Sequence, residues 1–511
     1  MKQFLLKICP GLLLLAISIF ISLQIYQHYG LGSDEHGQSL IGDRFYQYVF
    51  EGDPEFHDYI ERDHGSGFEL PLKILEKKLG IVVPRDIFLM RHIVSHLFFL
   101  LCVFSGYLLA LKIFRNQWLA CLAFIILVMH PRIYAHSYFN SKDVPAMGTF
   151  MLALALSYWA FLRKSPLLFL LVGLVCGYSA SIRLMNIIIL GPLFLLFLYD
   201  LIEAIRARKN IWRALLNPLT VLIGSAAALY VCWPTLWGDP VNNILESYAS
   251  LSKFRWIGNV WFAGSEIEAK HIPWSYIPTW FFLTTPELWV VFGFAGIILL
   301  LAALINTPRA FIADFHQRYF LFLFICFVSP VIVVIKLESV LYDDWRHLYF
   351  IYPAFVFLVL YCMHLLLQRK KMRVAIWTVC VIEVLLIARF MIRAHPFQSV
   401  YFNYFISHEQ DYLQKKYELD YWGASNKAGL EWVLAHSGSD SIRINDKWIL
   451  GFNLQVLDPQ QARRFILTPE GEPMDFYIEN FRTKPYKYPR ENSVHNIDVL
   501  NSTILRITKL R

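Results

Sequence analysis

Residues 287–306 have the sequence ELWVVFGFAGIILLLAALIN, with a single charged side chain at the first position. A run of about 20 apolar residues is long enough to cross the hydrocarbon core of a bilayer as a helix. We expect ten further spans, at residues 5–26, 92–113, 117–130, 148–162, 166–181, 185–202, 214–233, 319–336, 347–367 and 374–391. The sequence therefore predicts a multi-pass α-helical membrane protein with about 11 transmembrane helices.

The composition agrees with a membrane protein. Of 511 residues, 57% are hydrophobic and 17% are charged, whereas soluble chains have roughly 45–50% apolar and about 25% charged residues. A soluble interior could not bury this apolar excess. The net charge of +8 does not indicate nucleic-acid binding, because no basic stripe interleaved with aromatic residues is present.

The short loops carry the basic residues, and their positions predict the orientation. With the N-terminus inside, the inside loops contain Lys112 and Arg115; Arg163 and Lys164; Arg206, Arg208, Lys209 and Arg213; Arg309 and Arg318; and Arg369, Lys370, Lys371 and Arg373. Loops rich in lysine and arginine stay in the cytoplasm. An odd number of spans then places the C-terminal segment outside, and we expect an integral membrane protein of the bacterial inner membrane.

Two regions follow from this arrangement. Residues 1–391 form the predicted transmembrane domain, with external loops at 27–91 and 234–286. Residues 392–511 form a small extracytoplasmic α/β domain, for which the pattern predicts a helix over 426–436 and strands at 441–444, 465–467, 475–478 and 503–507.

Asp34, Glu35 and His36 follow the first predicted span directly. A carboxylate held at the end of a helix can act as a general base that takes a proton from an attacking hydroxyl. It can also ligate a divalent metal. The alternative is a solvated acidic loop without a function.

Residues 130–143, HPRIYAHSYFNSKD, join the third and fourth predicted spans. The segment gathers Arg132, His136, Lys142 and Asp143 at one membrane surface. Asp143 is either a functional carboxylate or a cap for the following helix, where the positive helix end favours an acid. Capping alone does not account for so many ionisable groups.

Basic residues also lie on the outer side, against the general trend. They are Arg91 with His92, Arg183, Lys336, and Arg346 with His347. Snorkelling to the interface explains any one of them. All of them together indicate an anionic partner, and phosphate is the natural one. Asp343 and Asp344 precede Arg346 and either pair with it or bind metal.

Taken in order along the chain, these motifs resemble those of the C-type membrane glycosyltransferases. The closer resemblance is to bacterial members of the family-39-like group, related to the protein O-mannosyltransferases and the aminoarabinose transferase. It rests on Asp34-Glu35-His36, on residues 130–143, on 342–347 with Tyr352-Pro353, and on the junction at 395–397 and 420–425. It implies the C-type glycosyltransferase fold.

The implied activity is transfer of a sugar from a polyprenyl-phosphate donor to an acceptor hydroxyl of a glycan, lipid or protein on the outer face. By this resemblance Asp34 is the base, and Glu35 and Asp143 position the acceptor or a divalent metal. Arg91 and Arg346 hold the donor phosphate, and position assigns Arg183 and Lys336 to the same task. His36, His136, Lys142, Asp343 and His347 are further candidates.

Three other functions compete with this hypothesis. A transporter or flippase of lipid-linked sugars would also have many spans, but its charges would lie near the bilayer midplane. An oligosaccharide ligase or polymerase would use the same donor, and the early acidic pair argues against it. A non-catalytic scaffold leaves the outer arginines and aspartates without a purpose.

Overall fold

The computed structural model describes residues 2–252, 256–480 and 487–511. The helices before the C-terminal region are α1 (Lys2–Ile25), α2 (Glu35–Tyr46), α3 (Glu69–Leu79), α4 (Pro84–Phe114), α5 (Gln117–Val128), α6 (Pro131–Phe139), α7 (Asp143–Arg163), α8 (Pro166–Ile182), α9 (Leu190–Arg206), α10 (Trp212–Cys232), α11 (Pro240–Ser252), α12 (Tyr276–Thr284), α13 (Glu287–Asn306), α14 (Pro308–Ala313), α15 (Phe315–Lys336), α16 (Tyr352–Leu367) and α17 (Arg373–Arg393). A hairpin of β1 (Asn259–Phe262) and β2 (Ser265–Glu268) follows α11.

Every apolar segment predicted from the sequence is helical, but two of them differ from a simple span. Within the described residues, nine helices are long and apolar enough to cross a membrane: α1, α4, α7, α9, α10, α13, α15, α16 and α17, some extended by an adjoining 3-10 turn. The third predicted span is a bent pair, in which α5 meets α6 at 60°. The fifth is α8, which has 17 residues.

The bend between α5 and α6 has a local cause. Pro131 follows His130, and the residue before a proline avoids the helical region. His130 accordingly has an extended backbone (φ −68°, ψ 111°), and its Nδ1 accepts a hydrogen bond from the Ile133 N–H. The chain therefore turns at His130, and α6 packs next to the candidate active site. All residues of α6 are buried.

Helices α8 and α10 pack backbone against backbone. A Cβ on Gly177 would lie 2.1 Å from the Ser225 carbonyl oxygen, and one on Gly173 would lie 2.2 Å from the Val221 carbonyl oxygen. Small residues allow such approach between helices in a membrane, where van der Waals contact replaces the hydrophobic effect. The close packing of α8 against α10 sets the position of the end of α8 and therefore of Arg183, which follows it.

The C-terminal region contains a mixed sheet. It comprises α18 (Tyr412–Lys416), α19 (Ser425–His436), β3 (Ile442–Asn445), α20 (Trp448–Leu454), α21 (Pro459–Ala462), β4 (Phe465–Thr468), β5 (Phe476–Asn480), β6 (Ser493–Val499) and β7 (Ser502–Lys509). The strand order is β4-β3-β5-β7-β6, parallel between β3 and its neighbours and antiparallel at β7. Leu430 and Val433 of α19 pack on Ile444, Ile478 and Leu505 of the sheet. The strand β6 was not expected from the sequence.

This region is docked on the loop that follows α1. The Leu31 N–H donates to Asn453 Oδ1 at 2.9 Å, and Asn453 Nδ2 donates back to the Leu31 carbonyl at 3.2 Å. The Ser33 N–H donates to the Trp422 carbonyl at 2.9 Å. The C-terminal region thereby holds the backbone immediately before Asp34.

Candidate active site

Several chain segments that are distant in sequence meet at one end of the helix bundle. They are the loop after α1, the α6–α7 turn, the end of α8, the residues before α16 and the segment 420–422 of the C-terminal region. Their ionisable side chains form a continuous network.

Arg346 is the centre of the network. Its Nη1 donates to Asp143 Oδ2 at 3.0 Å and its Nη2 donates to Asp34 Oδ2 at 3.2 Å, while Nε lies 2.7 Å from Asp343 Oδ2. Its guanidinium carbon lies 4.9 Å from the centroid of the Trp422 ring. A side chain that is 3% exposed and bound to three carboxylates has no free face for a large ligand.

Asp143 joins Arg346 to Arg183. Its Oδ1 accepts from Arg183 Nε, and its Oδ2 accepts from Asn140 Nδ2 at 2.9 Å as well as from Arg346. The Asp143 carboxylate does not cap α7, and Asn140 Oδ1 accepts from the backbone N–H groups of Lys142 and Asp143 at the start of this helix. The Asp143 carboxylate is thus left for the two arginines.

Asp34 is the most accessible acid of the network. Its side chain is 35% exposed, against 1% for Asp143. One of its oxygens faces Arg346, and Ser33 Oγ donates to the other at 3.3 Å. A carboxylate that is oriented by a guanidinium and still open to solvent can accept a proton from a bound hydroxyl.

A cavity of about 360 Å³ lies beside this network. Its walls are largely apolar and are formed by Ile182, Leu184, Met185, Ile187, Ile188, Leu251, Val333, Val334, Leu337, Val340 and Leu341. Its polar end is formed by Lys142, Arg183, His347 and His64. Val333 and Leu337 at its edge are exposed on the membrane-facing surface. None of the described residues that line it is Asp or Glu.

Lys142 is the cation whose environment is most unusual. It lies between α6 and α7, and burial together with the charge of Arg183 lowers the pKa of its amine to about 7, although Asp143 and Asp34 oppose the shift. Burial and a neighbouring cation both disfavour the charged form of a lysine. An anion that enters the cavity would favour the charged form of Lys142.

Arg91 lies outside the cavity lining. It is buried, and its Nη2 is paired with the carboxylate of Glu69, which also accepts from Ser141 Oγ. Burial raises the pKa of Glu69, and the charge of Arg91 opposes the shift. The pair lies behind the α6–α7 turn and supports Ser141, the neighbour of Lys142.

Glu35 is likewise turned inward. Its Oε1 accepts from the Gly32 N–H at 2.7 Å, and its Oε2 lies 2.9 Å from His92 Nε2. These contacts tie the loop before Asp34 to α4. The side chain is buried, so it holds the loop in place and does not face the solvent side of Asp34.

The other predicted residues take varied positions. His136 is buried against Trp422 at 5.5 Å between ring centroids. His36 is exposed and stacks on Phe452 at 4.7 Å. Lys336 is exposed at the end of α15 and is not part of the cavity lining. Burial raises the pKa of Asp343 to about 7, despite the nearby charge of Arg346.

Three residues of the site were not singled out from the sequence as site residues. They are Glu69, His64 and Trp422, whose indole N–H donates to Asp343. Trp422 lies in the 420–425 junction that carried the family resemblance. Glu69 and His64 lie in an acidic loop where nothing in their spacing separates them from solvated neighbours.

The arrangement of the carboxylates does not fit a metal centre. Asp34 and Asp143 are bridged by Arg346, and Glu35 faces His92. Among the residues that the structure describes, no group of three or more His, Cys, Asp or Glu side chains is placed to hold a metal ion. We therefore derive no chemical step through a metal.

Solved structures with similar arrangements are distant in sequence. The oligosaccharyltransferase of Archaeoglobus fulgidus in its apo form is 11% identical, with 92% of this chain and 69% of that chain covered and a TM-score of 0.49. The archaeal oligosaccharyltransferase AglB from the same organism, in complex with an inhibitory peptide and a dolichol-phosphate, is 13% identical, with 88% and 65% covered and a TM-score of 0.46. ArnT from Cupriavidus metallidurans, bound to undecaprenyl phosphate, is 11% identical, with 99% and 98% covered and a TM-score of 0.45.

No curated protein matches the chain. A family model does match part of it, from α3 to the 3-10 turn after α10, a stretch that contains Arg91, Lys142, Asp143 and Arg183. The match covers residues 72–236, and the model describes the dolichyl-phosphate-mannose-protein mannosyltransferase family.

Proposed function

We propose that this protein is a membrane glycosyltransferase that moves a sugar from a polyprenyl-phosphate donor to the hydroxyl of an acceptor. The observation that carries the proposal is the cavity of about 360 Å³ beside the Arg346 network, which is apolar along its walls and cationic at one end. A polyprenyl phosphate has the complementary form, an apolar chain with an anionic head. The family match over residues 72–236 supports the same class of donor.

The donor phosphate is assigned to Lys142 and Arg183. Both line the cavity, and neither is enclosed by carboxylates as Arg346 is. Asp143 fixes the Arg183 guanidinium through Nε, so the Nη groups remain available to phosphate oxygens. Arg346 and Arg91 then have positioning roles: Arg346 orients Asp34, and Arg91 supports the turn that carries Lys142.

The reaction is a single displacement at the anomeric carbon. Asp34 accepts the proton of the acceptor hydroxyl as its oxygen forms the new bond to the anomeric carbon. The bond from that carbon to the phosphate oxygen breaks, and its electron pair leaves with the polyprenyl phosphate. Lys142 and Arg183 stabilise the additional negative charge on the leaving phosphate. One base and no carboxylate nucleophile predict inversion at the sugar.

Transfer from a panel of radiolabelled polyprenyl-phosphate sugars tests the proposal. Purified protein is incubated with each donor and with membrane extract as the acceptor source. We expect label transfer from one donor, and a loss of about 10²–10⁴-fold in Asp34→Asn, the range for a general base. Asp58→Asn is the matched control, since Asp58 is an exposed acid of the same loop.

Three outcomes would each contradict a part of the proposal. Full activity in Asp34→Asn would end the assignment of the base. An absence of transfer from every donor, combined with movement of lipid-linked sugar across liposome membranes, would establish a transporter instead. Retention of the sugar's configuration in the product would exclude the single displacement.

A further inference from the structure

A second cavity, of about 580 Å³, lies at the end of the bundle opposite the candidate active site. It is lined by the ends of α1, α4, α5, α16 and α17. The segment from Arg346 to Leu367 begins in the active-site network and ends at this cavity. At 1.5 Å per helical residue, roughly 30 Å separates the two places.

Three cations converge on this second cavity: Lys7 from α1, Arg115 after α4 and Arg373 at the start of α17. No Asp or Glu is among its lining residues. In the described part of the chain, none of the three cations has a carboxylate within 4.0 Å. Arg373 donates only to the Leu367 carbonyl, from Nε at 2.8 Å. The positive charge at the cavity is therefore uncompensated.

The uncharged lining adds hydrogen-bond donors and an apolar wall. Asn116 Oδ1 accepts from the backbone N–H groups of Trp118 and Leu119 as the cap of α5, which leaves its amide nitrogen as a donor. Gln117 and Gln368 supply further amides, and Trp377 supplies an indole surface. Cations and amide donors around an open volume form a receptor for the oxygens of an anion.

The helices on either side of the cavity face lipid. Of the nine helices long enough to span the membrane among the described residues, α1 and α17 have the smallest buried shares, 11% and 17% of their apolar windows. In a bilayer, both helices therefore offer apolar surface to acyl chains. A lipid whose chains contact these surfaces has its headgroup at the level of Lys7 and Arg373.

We propose that this second cavity binds the phosphate of an anionic phospholipid from the leaflet at that end, with the acyl chains along α1 and α17. A general preference for basic residues on the cytoplasmic side accounts for cations at this surface. It does not account for their convergence, without an acidic partner, on one cavity. The bound lipid would stabilise the packing of α1 and α17 against the bundle.

Native mass spectrometry of the purified full-length protein in mixed micelles tests this proposal. We expect phosphatidylglycerol to remain bound and zwitterionic phosphatidylcholine to dissociate. The combined variant Lys7→Gln, Arg115→Gln and Arg373→Gln should weaken phosphatidylglycerol binding by roughly a hundredfold, from the usual contribution of each basic residue at an anionic surface. Inorganic phosphate in large excess should not displace the lipid.

The matched control removes the same charge from the same membrane side. Arg208→Gln, Lys209→Gln and Arg213→Gln neutralise three exposed cations that do not line the cavity, and binding should stay close to that of the wild type. Equal losses in both variants, or equal retention of the two lipids by the wild type, would overturn the cavity assignment. Displacement by inorganic phosphate would overturn the lipid assignment in favour of a free phosphate ligand.

Discussion

Arg346 and Lys142 have opposite surroundings although both are cations of one site. Arg346 is bound to Asp34, Asp143 and Asp343, so its charge is compensated within the protein. Lys142 adjoins Arg183 in a cavity without a lining carboxylate. A cation held by three carboxylates orients those carboxylates. A cation in a cavity without a lining carboxylate can still bind an anionic ligand.

The pH dependence of donor binding should report on Lys142. Its pKa is lowered to about 7, so the free protein loses this charge as the pH rises above 7. Donor affinity should be highest below pH 7 and should fall above it by at most about tenfold per pH unit, the limit for one linked proton. Isothermal titration with a short-chain polyprenyl-phosphate sugar between pH 6 and 9 measures the slope.

The control for this profile is Lys142→Arg, because arginine stays charged throughout the range. Its affinity should be independent of pH. A flat profile in the wild type, or an unchanged slope in Lys142→Arg, would show that another group binds the phosphate.

The buried pair of Arg91 and Glu69 should contribute to the free energy of unfolding. Arg91→Ala leaves the buried Glu69 carboxylate without its partner, and removing one member of a buried pair costs about 3–5 kcal/mol. The melting temperature in detergent should fall, and Glu69→Gln added to Arg91→Ala should recover part of the loss. A phosphate-binding Arg91 would instead lower donor affinity at an unchanged melting temperature. Lys336→Ala, at an exposed position, is the control.

Short segments between helices position the side chains of the candidate active site. The α6–α7 turn positions Lys142 and Asp143 because Asn140 Oδ1 accepts from the backbone N–H groups of both residues. The segment 420–423 inserts Trp422 between Arg346 and His136. Gly32 is next to this indole, and a Cβ there would lie 2.3 Å from Trp422 Cε3, so the close approach requires glycine.

Trp422→Ala should therefore disturb both the site and the docking of the C-terminal region. It removes the indole over Arg346 and the N–H donor to Asp343. Transfer should fall by about 5- to 150-fold, since one lost buried hydrogen bond costs roughly 1–3 kcal/mol and about 1.4 kcal/mol corresponds to tenfold. Limited proteolysis should cut more readily near residue 438. Trp448→Ala, at an exposed tryptophan of the same region, should leave both unchanged.

The network around Arg346 and the basic second cavity lie at opposite ends of the bundle. The loops after α1, α6 and α8 meet at the first end, and Lys7, Arg115 and Arg373 gather at the other. The positive-inside rule then predicts that the end with the second cavity is cytoplasmic.

This orientation is tested by labelling single introduced cysteines in intact cells. Ser439→Cys lies in an exposed loop of the C-terminal region, and Lys209→Cys lies between α9 and α10. A membrane-impermeant maleimide should label position 439 in intact cells and position 209 only after lysis. The reverse pattern would place the active-site network in the cytoplasm. The parent protein with its eight cysteines gives the background.

Composition and hydrophobic periodicity were enough to predict the membrane class, the helical segments and many of the ionisable residues that meet at one end of the bundle. Long apolar runs permit only helices in a bilayer, because every backbone polar group must be bonded within its own segment. Hydrophobic periodicity is also a local property, and it located the helix at 426–436 and four of the strands in the C-terminal region.

Only the tertiary structure shows which charged side chains pair with each other and which remain accessible to a ligand. In the sequence, Arg91, Arg183 and Arg346 have equivalent positions at the ends of predicted spans. In the structure, Arg91 pairs with Glu69 and Arg183 lines a cavity. Arg346 is surrounded by three carboxylates. Partners separated by up to 312 residues set these environments. Ion pairing depends on distances in space, which hydrophobic periodicity along a chain does not encode.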